Sequence, residues 1–393
     1  MHQLSQKGRR AVMLLITVLF WFALYVYVPY QTPYLSMLGV ASSFIGVILG
    51  AYGFSQMLIR IPLGIGADRK GRHKPFIVFG NACAAAASVL RFLWPSATSF
   101  LLANLISGLA ASTWICSTVL YPTYYRPEQL KKAMGTLLAM NNLGTLSGFL
   151  LGMVASQFLK TEALFLFSAG AGLLGTVCSI LIWEEPQEQG QAKMLPPLRE
   201  HFRVFKRKRL LLFAIGMALL QAVNMSTAMS FTSEYGRQMG AGNLEIGLLS
   251  VLYMAASVLS SFYTGTRHAA QMGERKLVPV FFLLYALCCG AIPFMRQIWA
   301  LCIVQFLGGF CFASLLSIFM SGAVEGVPQE KRSTAMGFFQ AVYGIGMTFG
   351  PTLMGVLVQG YGMRTAYLAM TALCILDGIL VCTLLFRRTL AVK

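Results

Sequence analysis

Twelve stretches of about twenty apolar residues, each closed by charge or turn signals, constrain this chain more than any other feature. They fall at about 11–30, 43–67, 75–95, 98–121, 133–157, 161–183, 209–231, 243–266, 277–295, 297–324, 334–360 and 363–386. A helix needs roughly 20 apolar residues to cross the ~30 Å hydrocarbon core of a bilayer, so each stretch is long enough for one crossing. The chain is 57% hydrophobic and 11% charged, against about 25% charged for a soluble domain. An all-α membrane protein of twelve crossings is expected. The first run follows Lys7, Arg9 and Arg10. It is too long for a signal peptide and no small-x-small cleavage site follows, so it reads as a retained helix.

The net charge of +18 would by itself suggest nucleic acid, but its placement argues otherwise. Of the 31 Lys and Arg, 25 lie at the two termini, in the central segment and in the loops after the second, fourth, eighth and tenth runs. Only Arg91, Lys160, Arg237, Arg296 and Arg364 lie on the other side, and only Arg60 is counted within a span. Cytoplasmic loops collect Lys and Arg, so both termini are expected in the cytoplasm. The basic balance then reads as topology in a multi-pass cell-membrane (plasma or inner) protein, with the lipid bilayer and not nucleic acid as partner. The basic run Arg203–Arg209 reads as a linker resting on anionic headgroups.

All nine cysteines sit in apolar stretches, none in a C-x-x-C spacing, and there are four His. They read as small buried hydrophobes, with no metal site expected. No Lys follows a Gly, which excludes the G-K-[ST] of a P-loop; H-E-x-x-H and G-x-S-x-G are missing too. No enzyme activity and no cofactor are expected.

The two halves repeat at an offset near 201–202 residues. Gly64 maps to Gly265, Gly71 to Gly273, Gly108 to Gly309 and Pro127 to Pro328. Ala133-Met134-Gly135 maps to Ala335-Met336-Gly337, Gly144 to Gly346 and Gly148 to Gly350. Six crossings restore the starting orientation, so the copies are parallel. The expected organisation is a six-helix bundle at 1–183, a cytoplasmic linker at 184–208 and a second bundle at 209–393.

Gly64-Ile65-Gly66-Ala67-Asp68-Arg69-Lys70-Gly71-Arg72-His73 resembles the G-x-x-x-D-[RK]-x-G-[RK]-[RK] motif between helices 2 and 3 of the major facilitator superfamily, with His73 at a position where Arg or Lys is usual. Parallel six-helix halves are that family's architecture. The resemblance implies that Asp68 latches onto the N-terminus of helix 11, near Ser333-Thr334, and that Arg69 and Arg72 tie the loop to the other half. Physically, Asp68 faces the negative end of its own helix and needs compensation. Gly64 is expected to admit a close backbone approach and Gly71 a tight turn. In the second copy Ala269 stands where an acid would be.

The resemblance places helices 1, 4, 7 and 10 around a central cavity, with help from 2, 5, 8 and 11. Candidate cavity residues are Tyr25, Asn104, Asn141, Gln221, Asn224, Gln305, Gln340 and Tyr343. Two intramembrane charges are added. Arg60, about 12 Å along the helix from Asp68, either meets an anionic substrate group or pairs within the gate. Asp377, near the middle of the twelfth run, is favoured in its neutral form by low dielectric. It is a candidate proton site or a hydrogen-bonded structural group.

Two positions depart from the proton-antiporter pattern of the family. Asn104 stands where an Arg is usual, and Phe149 follows Gly148 where a Pro is usual. An aromatic, amide-lined interior suits an uncharged or amphipathic organic molecule. The expectation is a monomeric secondary transporter moving a small-molecule substrate by alternating access, with efflux as the leading direction and H+ as the candidate coupling ion. Uptake on the same fold, and a non-transporting receptor or scaffold, are the alternatives.

Overall fold

The computed structural model describes residues 5–184, 207–264, 272–327 and 332–386, leaving aside the side chains of Asp68, Pro127, Lys131 and 332–334. The linker expected at 184–208, apart from its ends, lies outside those residues, as do Gly265, Ala269 and Pro328.

Every regular element among the described residues is helical. In chain order we label α1 (Gln6–Met37), α2 (Ser42–Lys70), α3 (Lys74–Leu93), α4 (Ala97–Tyr124), α5 (Leu130–Phe158) and α6 (Thr161–Ile180). Next come α7 (Lys208–Gln238), α8 (Asn243–Thr264), α9 (Glu274–Phe294) and α10 (Ile298–Val324). The remaining apolar helix, Ala335–Phe386, has 52 residues. At 1.5 Å per residue a straight helix of that length would be about 78 Å long, more than twice the hydrocarbon thickness. Gly362 breaks it with φ 79° and ψ 167°, a conformation that needs a residue without Cβ. Two crossings result, α11 (332–361) and α12 (363–386).

Local chemistry sets several boundaries. Pro75 lies in the first turn of α3, where its missing N–H is harmless. The Glu184 carboxylate accepts from the backbone N–H of His73 and, at 2.9 Å, of Lys74, so a side chain from beyond α6 caps that helix. α1 runs past the expected end at residue 30 as a second piece, Val28–Met37. Pro29 sits in the first turn of that piece and does not interrupt it.

Contacts divide the chain into two compact units. The first joins Met1–Tyr30 and Phe54–Met194; the second joins Gln31–Gly53 and Leu195–Lys393. Residues 31–53 thus pack with the C-terminal helices, where a division at the central linker would leave them with the first six. The reason is local. Gly53 of α2 lies so close to α11 that a Cβ would come within 2.7 Å of Met347, and the Ser43 N–H donates to Gln359 Oε1 at 3.1 Å.

Within each unit the duplicated glycines do the same work. A Cβ on Gly144 of α5 would lie 2.6 Å from the Val18 carbonyl of α1; a Cβ on Gly346 of α11 would overlap the Ala218 carbonyl of α7. Close backbone contact of this kind supplies the dispersion that holds helices together where lipid offers no hydrophobic driving force. Gly71 and Gly273 both take positive φ, 58° and 70°. An Arg at the start of each unit's leading helix also closes a carbonyl at the end of its fourth. Arg10 donates to the Tyr124 oxygen at 2.6 and 3.0 Å, and Arg209 to the Gly322 oxygen at 3.2 Å. Cations are favoured at such helix ends.

Candidate functional site

In the first unit an aromatic group forms where α1, α4 and α5 meet. Trp21 lies 5.4 Å from Trp114 and 5.7 Å from Tyr25, and Tyr25 lies 6.0 Å from Phe149, between ring centroids. Tyr25 is half-buried, as is Asn141 on α5. Arg60 is buried on α2.

Asn104 is already engaged. Its Oδ1 accepts from Arg91 Nη2 at 2.7 Å, and the same nitrogen donates to Ser107 Oγ at 2.9 Å. The Arg91 guanidinium stands 4.4 Å from the Tyr27 ring centroid. Arg91, counted from sequence as a cation outside the spans, lies within α3 at 0% exposure. Arg91 thus joins Arg60 as a buried cation within a span. Placed near the outer end of an apolar run, Arg91 looked like a loop residue. The available signal was the polar pair Asn104 and Ser107, three apart on one face of the next helix. The guanidinium that the antiporter pattern supplies from α4 is here brought to Asn104 from α3.

In the second unit, α7 changes pitch. Lys208–Ser226 is α-helical, Thr227–Phe231 is a π-turn, and Thr232–Gln238 is α-helical again. A π-turn displaces backbone partners and frequently marks a functional position. Gln305 of α10 serves that turn, donating from Nε2 to the Ala228 carbonyl at 3.2 Å. Thr232 Oγ1 lies within 2.9 Å of both the Thr227 carbonyl and the Tyr367 hydroxyl.

One turn earlier, Asn224 Oδ1 accepts from the Tyr253 hydroxyl at 2.6 Å and the Tyr285 hydroxyl at 3.2 Å, joining α7, α8 and α9. Gln221, on the same face of α7, is buried, and its Oε1 has no partner among the described residues. Gln340 and Tyr343 of α11 are half-buried, with Tyr343 5.8 Å from Phe339 between ring centroids. Of the eight neutral candidates, Asn104, Asn224 and Gln305 are thus committed to holding helices together.

Asp377 on α12 is 0% exposed, and neither carboxylate oxygen has a partner among the described residues. Gly216 of α7 makes room for it: a Cβ there would stand 3.4 Å from Oδ1 and closer still to Phe319 and Val381. No metal-binding group of His, Cys, Asp or Glu forms among the described residues.

The loop motif is described in part. Gly71 makes the turn, with the Arg72 N–H donating to the Ala67 carbonyl at 3.3 Å across the end of α2. Arg69 and Arg72 are exposed. Among the described residues Gly64 meets no close backbone. The nearest atom to a Cβ there would be Ile115 Cδ1, at an ordinary 3.4 Å. The side chains of Asp68 and of Ser333-Thr334 lie outside the described residues, so the latch carries no geometry.

Twelve apolar crossings, duplicated as six and six and carrying neutral polar and aromatic groups within the bilayer, define a polytopic membrane transporter. The chain belongs to the Major Facilitator Superfamily, whose sequence profile matches residues 13–242 and 213–391. It is 26% identical to the inner membrane transport protein YajR of Escherichia coli (strain K12), over 94% of this chain and 82% of that protein. It is 23% identical to the multi-drug resistance efflux pump PmrA of Streptococcus pneumoniae, over 93% of each. Its fold matches the crystal structure of the nucleoside transporter NupG with a TM-score of 0.80 at 14% identity, over 97% of this chain and 100% of that one. A bacterial homolog of the human lysosomal transporter Spinster, inward-facing and occupied, superposes with a TM-score of 0.76 at 14% identity over 95% of each.

Proposed function

We propose that this transporter exports an uncharged or amphipathic organic molecule by alternating access, acting as a monomer in the cell membrane with both termini in the cytoplasm. The observation that carries the reading is the neutral polar capacity left once the committed amides are set aside. Gln221 keeps a buried Oε1 with no partner among the described residues, and half-buried Asn141 and Tyr343 add an amide and a ring face. Such groups give hydrogen bonds and aromatic contact without demanding a charged ligand. Export is further supported by similarity over 93% of the chain to a protein named as a multi-drug resistance efflux pump.

H+ is the proposed coupling ion and Asp377 its site. An unpaired carboxylate has a large desolvation cost in such packing, so binding and release of a proton there require α7 or α12 to move. The titratable neighbours are the Cys374 and Cys382 thiols on its own helix; α7 presents Gly216 and α10 Phe319. No catalytic chemistry is assigned to the chain. Asp68, Arg69, Gly71 and Arg72 form the proposed gating loop, with Arg60 as a charge behind it.

The test is counterflow in proteoliposomes against a panel of neutral and amphipathic compounds, paired with growth of a deletion strain on the same panel. Flux together with gained sensitivity supports export. Flux with lost growth on a nutrient would establish uptake, and ligand binding without flux would establish a receptor.

A further inference from the structure

A recess of about 500 Å³ lies between α9 and α12, in the second unit. Its floor is Phe282 and Ala286, each 3% exposed, together with Gly378, where a Cβ would press on Phe282 at 3.1 Å. Pro279 and Gly290 line its ends, and Ile379, more than half exposed, forms its rim. The lining is almost wholly apolar, so a polar solute would find nothing to replace its water.

Two observations point to the occupant. First, the recess follows α9 from Pro279 to Ala291, about 18 Å at 1.5 Å per residue. That is close to one leaflet, half of a ~30 Å core. Second, the stripe does not stop at Pro279. Arg275 and Lys276 continue it at helical spacing one turn earlier, and both are exposed. The acid beside them is taken, because Glu274 receives Arg209 at 2.7 and 2.8 Å. Among the described residues Arg275 and Lys276 have no acidic partner. An apolar trough one leaflet deep, with two unpaired cations at its headgroup end, matches an anionic lipid in both length and charge.

We infer that this recess holds an acyl chain of one anionic phospholipid, with the phosphate against Arg275 and Lys276. Chain burial alone cannot select it, because bulk lipid tails are equally apolar. Selection comes from the headgroup cations. At ~1 kcal/mol each, two such contacts amount to roughly thirtyfold in affinity. The site is independent of what the protein transports and of direction.

The test titrates the purified full chain in detergent with phosphatidylglycerol and with phosphatidylcholine of the same chains, reading bound lipid by native mass spectrometry. The expected result is at least tenfold preference for phosphatidylglycerol. Arg275→Gln with Lys276→Gln should reduce phosphatidylglycerol to the phosphatidylcholine level, and Ile379→Trp, at the rim, should reduce both. All three positions are exposed, so folding is not at stake. Equal retention of the two lipids by the unaltered protein would overturn the inference, as would full retention of phosphatidylglycerol by the double variant. A protein dimer that Ile379→Trp abolishes would assign the recess to a second copy instead.

Discussion

The two halves keep one scaffold and fill it with opposite charge. Gly144 and Gly346, or Gly71 and Gly273, hold matched positions and do matched work. Between these anchors the buried charges and amides differ. Among the described residues, the first unit buries Arg60 and Arg91 within its spans and no Asp or Glu. Among those of the second, Asp377 is buried and no Lys or Arg is. In the first unit a guanidinium is held by an amide, a hydroxyl and a ring face; in the second an amide gathers two tyrosine hydroxyls. Packing geometry is what duplication preserves, because a Cβ against a backbone carbonyl has no alternative solution. Buried polar groups can be rewired, since any arrangement that satisfies them is tolerated.

That contrast can be broken by mutation. The largest effect is expected at the shared scaffold. Gly346→Val and Gly144→Val should each cost about 3 kcal/mol or more, as overpacking that the backbone cannot relieve. The readout is loss of the monodisperse peak in detergent size-exclusion chromatography; survival of one variant with loss of the other would show that the two glycines are not equivalent.

Asn104→Leu comes next. It removes an acceptor from a buried guanidinium, at roughly 2–3 kcal/mol, and should lower the melting temperature clearly. Arg91→Met removes the buried charge itself and should leave stability near or above the starting value. A larger loss in Arg91→Met than in Asn104→Leu would mean that the cation is a net stabiliser.

Asn224→Leu should cost about 1–2 kcal/mol, by removing the acceptor that the Tyr253 and Tyr285 hydroxyls share. A melt unchanged by this substitution would show that the hydroxyls find other acceptors. The smallest effect on stability is expected for Asp377→Asn, because it is isosteric and leaves the packing unchanged. The same variant should abolish flux driven by a pH gradient. Unaltered pH dependence would remove Asp377 from the coupling role.

How much of this was legible in sequence follows from the forces involved. Crossings are read from local apolar runs, and glycine turns from a conformational demand of one residue, so both survive translation into structure. The break at Gly362 sits at the short gap between the eleventh and twelfth runs. Arg91 was counted with the outer cations because its place near the end of the 75–95 run does not reveal that it folds back onto the next helix. The amides divided for the same reason. Asn104 and Gln221 look equivalent along the chain, and only the neighbour brought by tertiary packing separates an occupied acceptor from an idle one. Residues 31–53 joined the second unit through glycine contacts with residues some 300 positions away, a distance at which sequence pattern is silent.

The wide turn at Thr227–Phe231 has a consequence for how this half can change over time. It holds one residue more than a regular helix requires. Excising that residue would close an ordinary α-turn and leave Thr232–Gln238 facing as before, because the wide turn has already absorbed the extra position. The same deletion in the regular part of α7 would rotate everything beyond it by about 100°. This turn is therefore the one place along α7 where the chain can lose a residue without re-aiming the segment that follows.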